Sequence, residues 1–375
     1  MRICITRSSR FAYSETFIRD QINCISNWAE VHTLHSGRLP EKSEDGKQLN
    51  SKVFWVLHKI VKGVLGRNNY FGEYGVKKYL KDNKIEVVLA NYGMPASHMV
   101  SVCKQLGIPL IVIFHGHDAT DRKILKEYKE KYIQLFEYAT YTIAVSEEMK
   151  KRLIIAGAIP EKVKLIPYGV DITKFKPIEN NNNSKNTFLA VGRFAGKKAP
   201  LSTIKAFHKV LTQFPDAKLV MVGGKTGLYD ECEKLVATLG IQNSVEFTGI
   251  QNSEEVAQRM SNALAFVQHS ITASNGDMEG TPLGILEASA SALPIVSTLH
   301  GGIKEAVIHN ETGYLVEEND IEGMAKYMIK LLENPERAKE MGINGRNHIA
   351  KNHHQETQVR KIFELAELAV KNTQK

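Results

Sequence analysis

The feature that most constrains this chain is a rhythm, in which short apolar runs alternate with amphipathic helical stretches along nearly its whole length. In the first half "RICIT", "VHTLH", "EVVLANY", "PLIVIFHG", "YTIAVS" and "VKLIPYG" read as strands. A second series follows with "FLAVGRF", "KLVMVGG", "SVEFTG", "ALAFVQHS", "PIVSTLHGG" and "GYLVEE". Stretches such as "PLSTIKAFHKVLTQF" and "IEGMAKYMIKLLEN" separate these strands, and "QVRKIFELAELAVKN" reads as a last helix. Strand and helix in alternation give parallel α/β layers. The unbroken apolar run "LIVIF" implies a strand covered by helices on both faces.

Between the two series lies "PIENNNNSKN", residues 177–186, a polar tract with no apolar face to bury, which reads as a linker. The fold class expected is therefore α/β, with two Rossmann-like doubly wound domains. Residues 1–176 form the first domain, 177–186 the linker, 187–352 the second, and 353–375 a C-terminal helix returning to the first. Ligands of such sheets bind beyond the carboxyl ends of the strands, and with two domains the expected position is a central cleft.

Lysine and arginine outnumber acids 49 to 41, for a formal charge of +8. That excess suits anionic partners such as nucleotides or phospholipid head groups. A nucleic-acid partner is not expected, because no stacking aromatics join a basic stripe. Cys4, Cys24, Cys103 and Cys232 lie far apart, without metal-ligand spacing. "MRICITRSSRF" lacks a signal-peptide core, and no run approaches the roughly 18 apolar residues that span a bilayer. A reduced, cytoplasmic, non-spanning protein is expected.

The chemistry concentrates in loops that follow strands. "SNGDMEGTPLGILEASASALPIVSTLHGG", residues 274–302, sets Glu279 and Glu287 eight positions apart around a helix start near Pro282. Amides of Thr281, Leu283 and Gly284 at that start form an anion site. Eight helical residues span about 12 Å, the scale of a sugar–diphosphate–ribose unit with a carboxylate at each end. Two glutamates at this spacing also occur on any solvated helix, so the pair alone decides nothing. "FLAVGRFAGKKAP" adds Arg193 and Lys198 after a strand, two cations on one loop able to neutralise a diphosphate, with Lys197 an adjacent competitor.

The segment "GDMEGTPLGILEASASALPIVSTLHGGIKEAV" resembles the donor-binding segment of family-4 retaining glycosyltransferases of GT-B fold. Its "GDMEG-P" wording is similar to the branch that builds bacterial exopolysaccharide, colanic-acid-like and O-antigen (lipopolysaccharide) chains. The likeness covers most of the chain and is strongest from 186 to 318. It implies a metal-independent, retaining hexosyltransferase that moves a sugar from a nucleoside-diphosphate donor to a polysaccharide or lipid-linked acceptor, without a cofactor. Glu279 would then hold the sugar and Glu287 the ribose. Gly192, Arg193 and Lys198 would form the phosphate loop, although Ala199 and Pro200 stand where the family commonly has glycine after the lysine. The strand end at Phe247, Thr248 and Gly249 would read the base. Thr281, Pro282, Leu283, Gly284, Gly301 and Gly302 would border the donor, and Asn275 and Asp277 would help choose the sugar.

In "PLIVIFHGHDATD" the resemblance assigns His115, with Gly116, a place against the donor sugar. His117 and Asp118 add a zinc-like cluster that lacks further ligands, and Asp118 is also a candidate helix cap. Near the N-terminus "TRSSRFAYSETFIRDQI" replaces the family's Gly-Gly pair. Here Ser14 is a candidate N-cap, while Arg7 and Arg10 are either ordinary basics or contacts for an anionic acceptor. Residues 52–67, "KVFWVLHKIVKGVLGR", form a basic amphipathic helix. It is expected to pack its apolar face inward, with contact to the inner face of the plasma membrane as the alternative. Rival functions are a GT-B-like sugar-nucleotide epimerase, a phosphorylase, and a non-catalytic sugar-nucleotide binder.

Overall fold

The computed structural model describes residues 1–10, 15–65, 70–177 and 186–373; Ser14, Arg67 and nearly all of the 177–186 tract lie outside them. Two compact units divide the chain, one of residues 1–167 with 358–375 and the other of residues 168–357. The first unit has a seven-stranded sheet of Arg2–Arg7 (β1), Glu30–His35 (β2), Lys42–Ser43 (β3), Val87–Asn91 (β4), Leu110–Ile113 (β5), Tyr141–Ala144 (β6) and Val163–Leu165 (β7). Its order is β3-β2-β1-β4-β5-β6-β7, and every pair is parallel except β2 with β3.

The second unit has a six-stranded parallel sheet of Thr187–Val191 (β8), Lys218–Val222 (β9), Val245–Gly249 (β10), Ala265–Val267 (β11), Ile295–Thr298 (β12) and Gly313–Val316 (β13). Its order is β10-β9-β8-β11-β12-β13. Apolar side chains bury both faces. Phe188, Leu219 and Val296 meet helices Pro200–Val210 and Ile321–Glu333 on one side. Leu189, Val220 and Ile295 meet helix Leu283–Ala290 on the other. Strand order reverses between β1 and β4 and between β8 and β11, the positions where such sheets open a crevice for ligands.

The division between units falls after Pro167, ahead of the polar tract. The physical reason is packing, because Val170 and Phe175 are buried in the core of the second unit. Val170 N–H also donates to His353 O at 2.8 Å, and Gln355 N–H donates to Val170 O at 3.2 Å, tying the two crossing strands of chain together. Beyond them the helix Gln355–Thr373 counts with the first unit from Gln358 on. There Phe363 packs on Trp28, and the Arg360 guanidinium lies 3.9 Å above the Trp28 ring.

The helix Lys52–Leu65 corrects an expectation, for its apolar face does not pack inward. His58 is its one buried residue, while Val53, Val56, Ile60 and Val64 are exposed by 66%, 47%, 58% and 79%. These four share one stripe at helical spacing, and Phe54, half-buried on another face, makes the ring contacts with Phe71 and Tyr74.

Candidate active site

In the second unit, the loop after β8 and the residue after β11 meet across the strand reversal. Gly192 has φ +148°, and a Cβ there would lie 2.9 Å from Lys198 Cε, so glycine makes room for the lysine stem. A short 3-10 turn, Gly196–Lys198, then points consecutive lysines in different directions. Lys197 is buried and donates to Asp277 Oδ1 at 3.1 Å and to the Met278 carbonyl at 3.0 Å. Lys198 instead reaches Gln268 Oε1 at 3.0 Å and Glu279 Oε1 at 3.1 Å. The resemblance gave the phosphate role to Lys198 with Lys197 as an adjacent competitor; the turn points the two apart, Lys197 stapling the loop and Lys198 reaching Gln268 and Glu279. Ala199 ends the turn at φ +36°, directly before Pro200, so alanine occupies the left-handed backbone that suits glycine.

Glu279 is 9% exposed at its side chain. Burial pushes its carboxyl up, but Lys198 and Lys197 outweigh that and hold it at about 2. Its buried Oε1 forms an ion pair with the Lys198 ammonium at 3.1 Å. Arg193 lies exposed on the same loop, and its guanidinium has no ion pair among the described residues.

The helix after Glu279 begins at Leu283, with Pro282 as its N-cap rather than its first residue. Ile285 and Leu286 N–H donate to Pro282 O, while the Leu283 and Gly284 amides have no acceptor among the described residues. A Cβ on Gly284 would stand 3.2 Å from Val191 O, so the glycine lets the helix start settle onto the end of β8. Thr281 is buried beside this start, and Glu287 is half-buried one turn further along.

Gly301 has φ +47°, and a Cβ there would be 2.3 Å from Glu279 O. Gly302 N–H donates to Gly280 O at 3.0 Å, so the loop after β12 is sewn to the Glu279 segment. Asp277 is occupied by Lys197, and Asn275 Oδ1 accepts from Asp277 N–H at 3.1 Å. At the end of β10, Phe247 packs with Tyr229 and Phe194, and Thr248 precedes Gly249 at φ +75°.

The first unit builds a separate cluster at its own strand reversal. Asn91 Nδ2 donates to Thr6 O and Gln21 Oε1, both at 3.2 Å, which turns its Oδ1 toward His115 Nε2 at 2.9 Å. An amide oxygen only accepts, so His115 carries its proton on Nε2. Burial, with a smaller push from His117, lowers this imidazole to about 3, so the ring is neutral at physiological pH. Phe17 and Tyr92 lie 4.7 and 4.6 Å from it, centre to centre.

Asp118 is buried and accepts from the amides of Gly93, His115 and Gly116, each at 3.0 Å. It is thus a clamp on the ends of β4 and β5 rather than a free metal ligand. Arg7 and Arg10 both face Glu44, at 2.8 and 3.5 Å.

Sequence reasoning missed Gln268, His300, Glu318 and Asn91. Each ends or follows a strand and lies far along the chain from the residue it touches; the one available signal was a polar residue at a strand end.

The description "Glycosyl transferases group 1" matches residues 171–348, and "Glycosyltransferase Family 4" matches residues 29–174. The chain is 28% identical over 320 residues to the amylovoran biosynthesis glycosyltransferase AmsK of Erwinia amylovora, covering 81% of this chain and 77% of that one. It is 30% identical over 347 residues to N-acetyl-alpha-D-glucosaminyl L-malate synthase of Bacillus anthracis, covering 85% and 88%. The crystal structure of Anabaena HepE with UDP and glucose superposes at a TM-score of 0.75 with 20% identity, over 97% of this chain and 98% of that one. With both halves matched and the two doubly wound sheets in place, the chain belongs to the family-4 glycosyltransferases of GT-B fold.

Proposed function

We propose that this glycosyltransferase moves a sugar from a nucleoside diphosphate to a saccharide or lipid-linked acceptor, with retained anomeric configuration and without a metal. One observation carries the reading: Lys198 stands between Gln268 and Glu279 while Arg193, on the same loop, is exposed with no ion pair among the described residues. As the glycosyl bond breaks, negative charge grows on the leaving diphosphate. A cation already fixed by two partners meets that charge with little reorganisation, and the exposed Arg193 guanidinium adds a planar fork. The Leu283 and Gly284 amides add donors of the kind that hold phosphate.

Glu279 accepts from sugar hydroxyls, Glu287 from the ribose, and the Phe247–Gly249 backbone borders the base. Within the first unit, His115 presents a neutral ring rather than a charge. The amylovoran enzyme's name supports a polysaccharide acceptor, and the UDP and glucose in the Anabaena structure support a nucleotide-sugar donor.

The test is a panel of UDP-, GDP-, ADP- and dTDP-sugars with release of the nucleoside diphosphate as readout. Turnover is expected to persist in EDTA, and NMR of the product should show the donor's anomeric configuration. Inverted product, or activity abolished by EDTA, refutes the mechanism.

We also propose peripheral contact with an anionic membrane through helix Lys52–Leu65. Its exposed stripe of Val53, Val56, Ile60 and Val64 is accompanied by Lys52, Lys59 and Lys62. No helix among the described residues is long and apolar enough to cross a membrane. The protein should float with phosphatidylglycerol vesicles and not with phosphatidylcholine alone, and Ile60→Glu with Val64→Glu should abolish flotation. Equal flotation of the double variant would remove this helix from the account.

A further inference from the structure

We propose that His300, held by Glu318, is a positioning residue that sets the Glu279 segment against Lys198. The inference rests on Glu279 serving the donor sugar, as proposed above. Three strand-end loops of the second unit converge here. Glu279 N–H donates to His300 Nε2 at 3.1 Å, and His300 Nδ1 lies 2.6 Å from Glu318 Oε1. A main-chain N–H can only donate, so Nε2 must be the unprotonated nitrogen and Nδ1 must carry the proton. The carboxylate of Glu318 accepts that proton's hydrogen bond and so fixes both the tautomer and the ring plane.

The His300 side chain is fully buried, which leaves its ring no water to exchange partners with. Glu318 is anchored in turn by the Thr272 N–H at 2.9 Å and the Thr272 hydroxyl at 3.3 Å. It therefore ties both ends of the 272–279 loop, one directly and one through the imidazole. Lys197 holds the same loop at Asp277 and Met278. With the loop fixed at four points, the Glu279 carboxylate has a defined reach to Lys198 Nζ. An imidazole pinned between a carboxylate and a loop amide does for this glutamate what outer partners do for a metal ligand: it sets direction without touching substrate.

Two replacements separate the ring's two bonds. His300→Gln places an amide oxygen near the former Nε2 and keeps the acceptor for Glu279 N–H. His300→Asn places its amide near the former Nδ1, keeps the link to Glu318 and loses the acceptor. Turnover is followed on the nucleotide sugar the chain accepts, and UDP and GDP affinities are measured by calorimetry.

His300→Asn is expected to lose about tenfold to a hundredfold in kcat, the scale of a misplaced site group, with nucleotide affinity within about twofold. His300→Gln should recover most of the rate, and Glu318→Ala, at a partly exposed position, should show a milder kcat-selective loss. Equal rates for the Gln and Asn variants, or parallel loss of kcat and nucleotide affinity, overturn the proposal. Glu279→Ala at the wild-type rate would instead show that the sugar-holding reading has failed, a result the histidine variants cannot mimic.

Discussion

Lys198→Ala should lower kcat by about a hundredfold to a thousandfold, the usual loss when one preorganised group facing developing charge is removed. A second consequence is thermodynamic and can be separated from the first. Glu279 has an ordinary value of 4.5 and stands at about 2 in the fold, where burial opposes and Lys198 leads the favourable contributions. A depressed folded value means that the carboxylate stabilises the fold above its unfolded value and loses that contribution as pH falls from about 4.5 to about 2. The difference corresponds to on the order of 3 kcal/mol at neutral pH.

Without Lys198 the burial cost dominates, so the carboxyl value should rise and the variant should melt lower at pH 7. Adding Glu279→Gln removes the stranded charge and should restore most of the melting temperature while leaving turnover low. Recovery of turnover in the double variant, or a single variant with near-normal kcat, would take Lys198 out of the chemistry.

Gly301→Ala should be the most damaging single methyl group in the site. Its φ of +47° already disfavours a side chain, and the added carbon would sit 2.3 Å from Glu279 O, a backbone atom that cannot swing away. Strain and displacement together should cost about 2–3 kcal/mol. A shift of about 5–10 °C in melting temperature follows for a unit of this size, with a rate loss of about a hundredfold if the Glu279 segment moves. Gly240→Ala provides the comparison. That residue has φ +70°, but its Cβ would meet no atom within 4 Å, so backbone strain of about 1 kcal/mol is the expected cost and turnover should stay normal. Indistinguishable melting curves for the two variants would deny the close approach its importance.

The alternation of strands and helices was legible because buried parallel strands are apolar throughout while their covering helices are not, and twelve of the thirteen strands among the described residues coincide with apolar runs. The missed strand, Lys42–Ser43, has two residues and is held by backbone bonds that leave no pattern. The glutamate pair was legible as a pair but not as a geometry. Helix begins at Leu283, so only the second half of the eight-residue spacing has helical rise.

The resemblance favoured Lys198 over Lys197, but what physically separates them is the turn that rotates neighbours about 120° apart. The inward packing expected of helix Lys52–Leu65 failed for another reason. Periodicity reports which face is apolar and is silent on what covers it. Gln268, His300 and Glu318 were out of reach because strand order, not spacing along the chain, brings the ends of β11, β12 and β13 together.

The division of the chain also bears on how the protein is made. Residues from Gln358 onward complete the unit that residue 1 begins, while all of 168–357 is synthesised in between. At roughly 5–20 residues per second, the ribosome takes on the order of ten to forty seconds over that intervening stretch. During this interval Trp28 waits without Phe363 and Arg360, and the second unit, continuous in sequence, is free to fold first. The nascent N-terminal half therefore stays incomplete until the Gln355–Thr373 helix has been made.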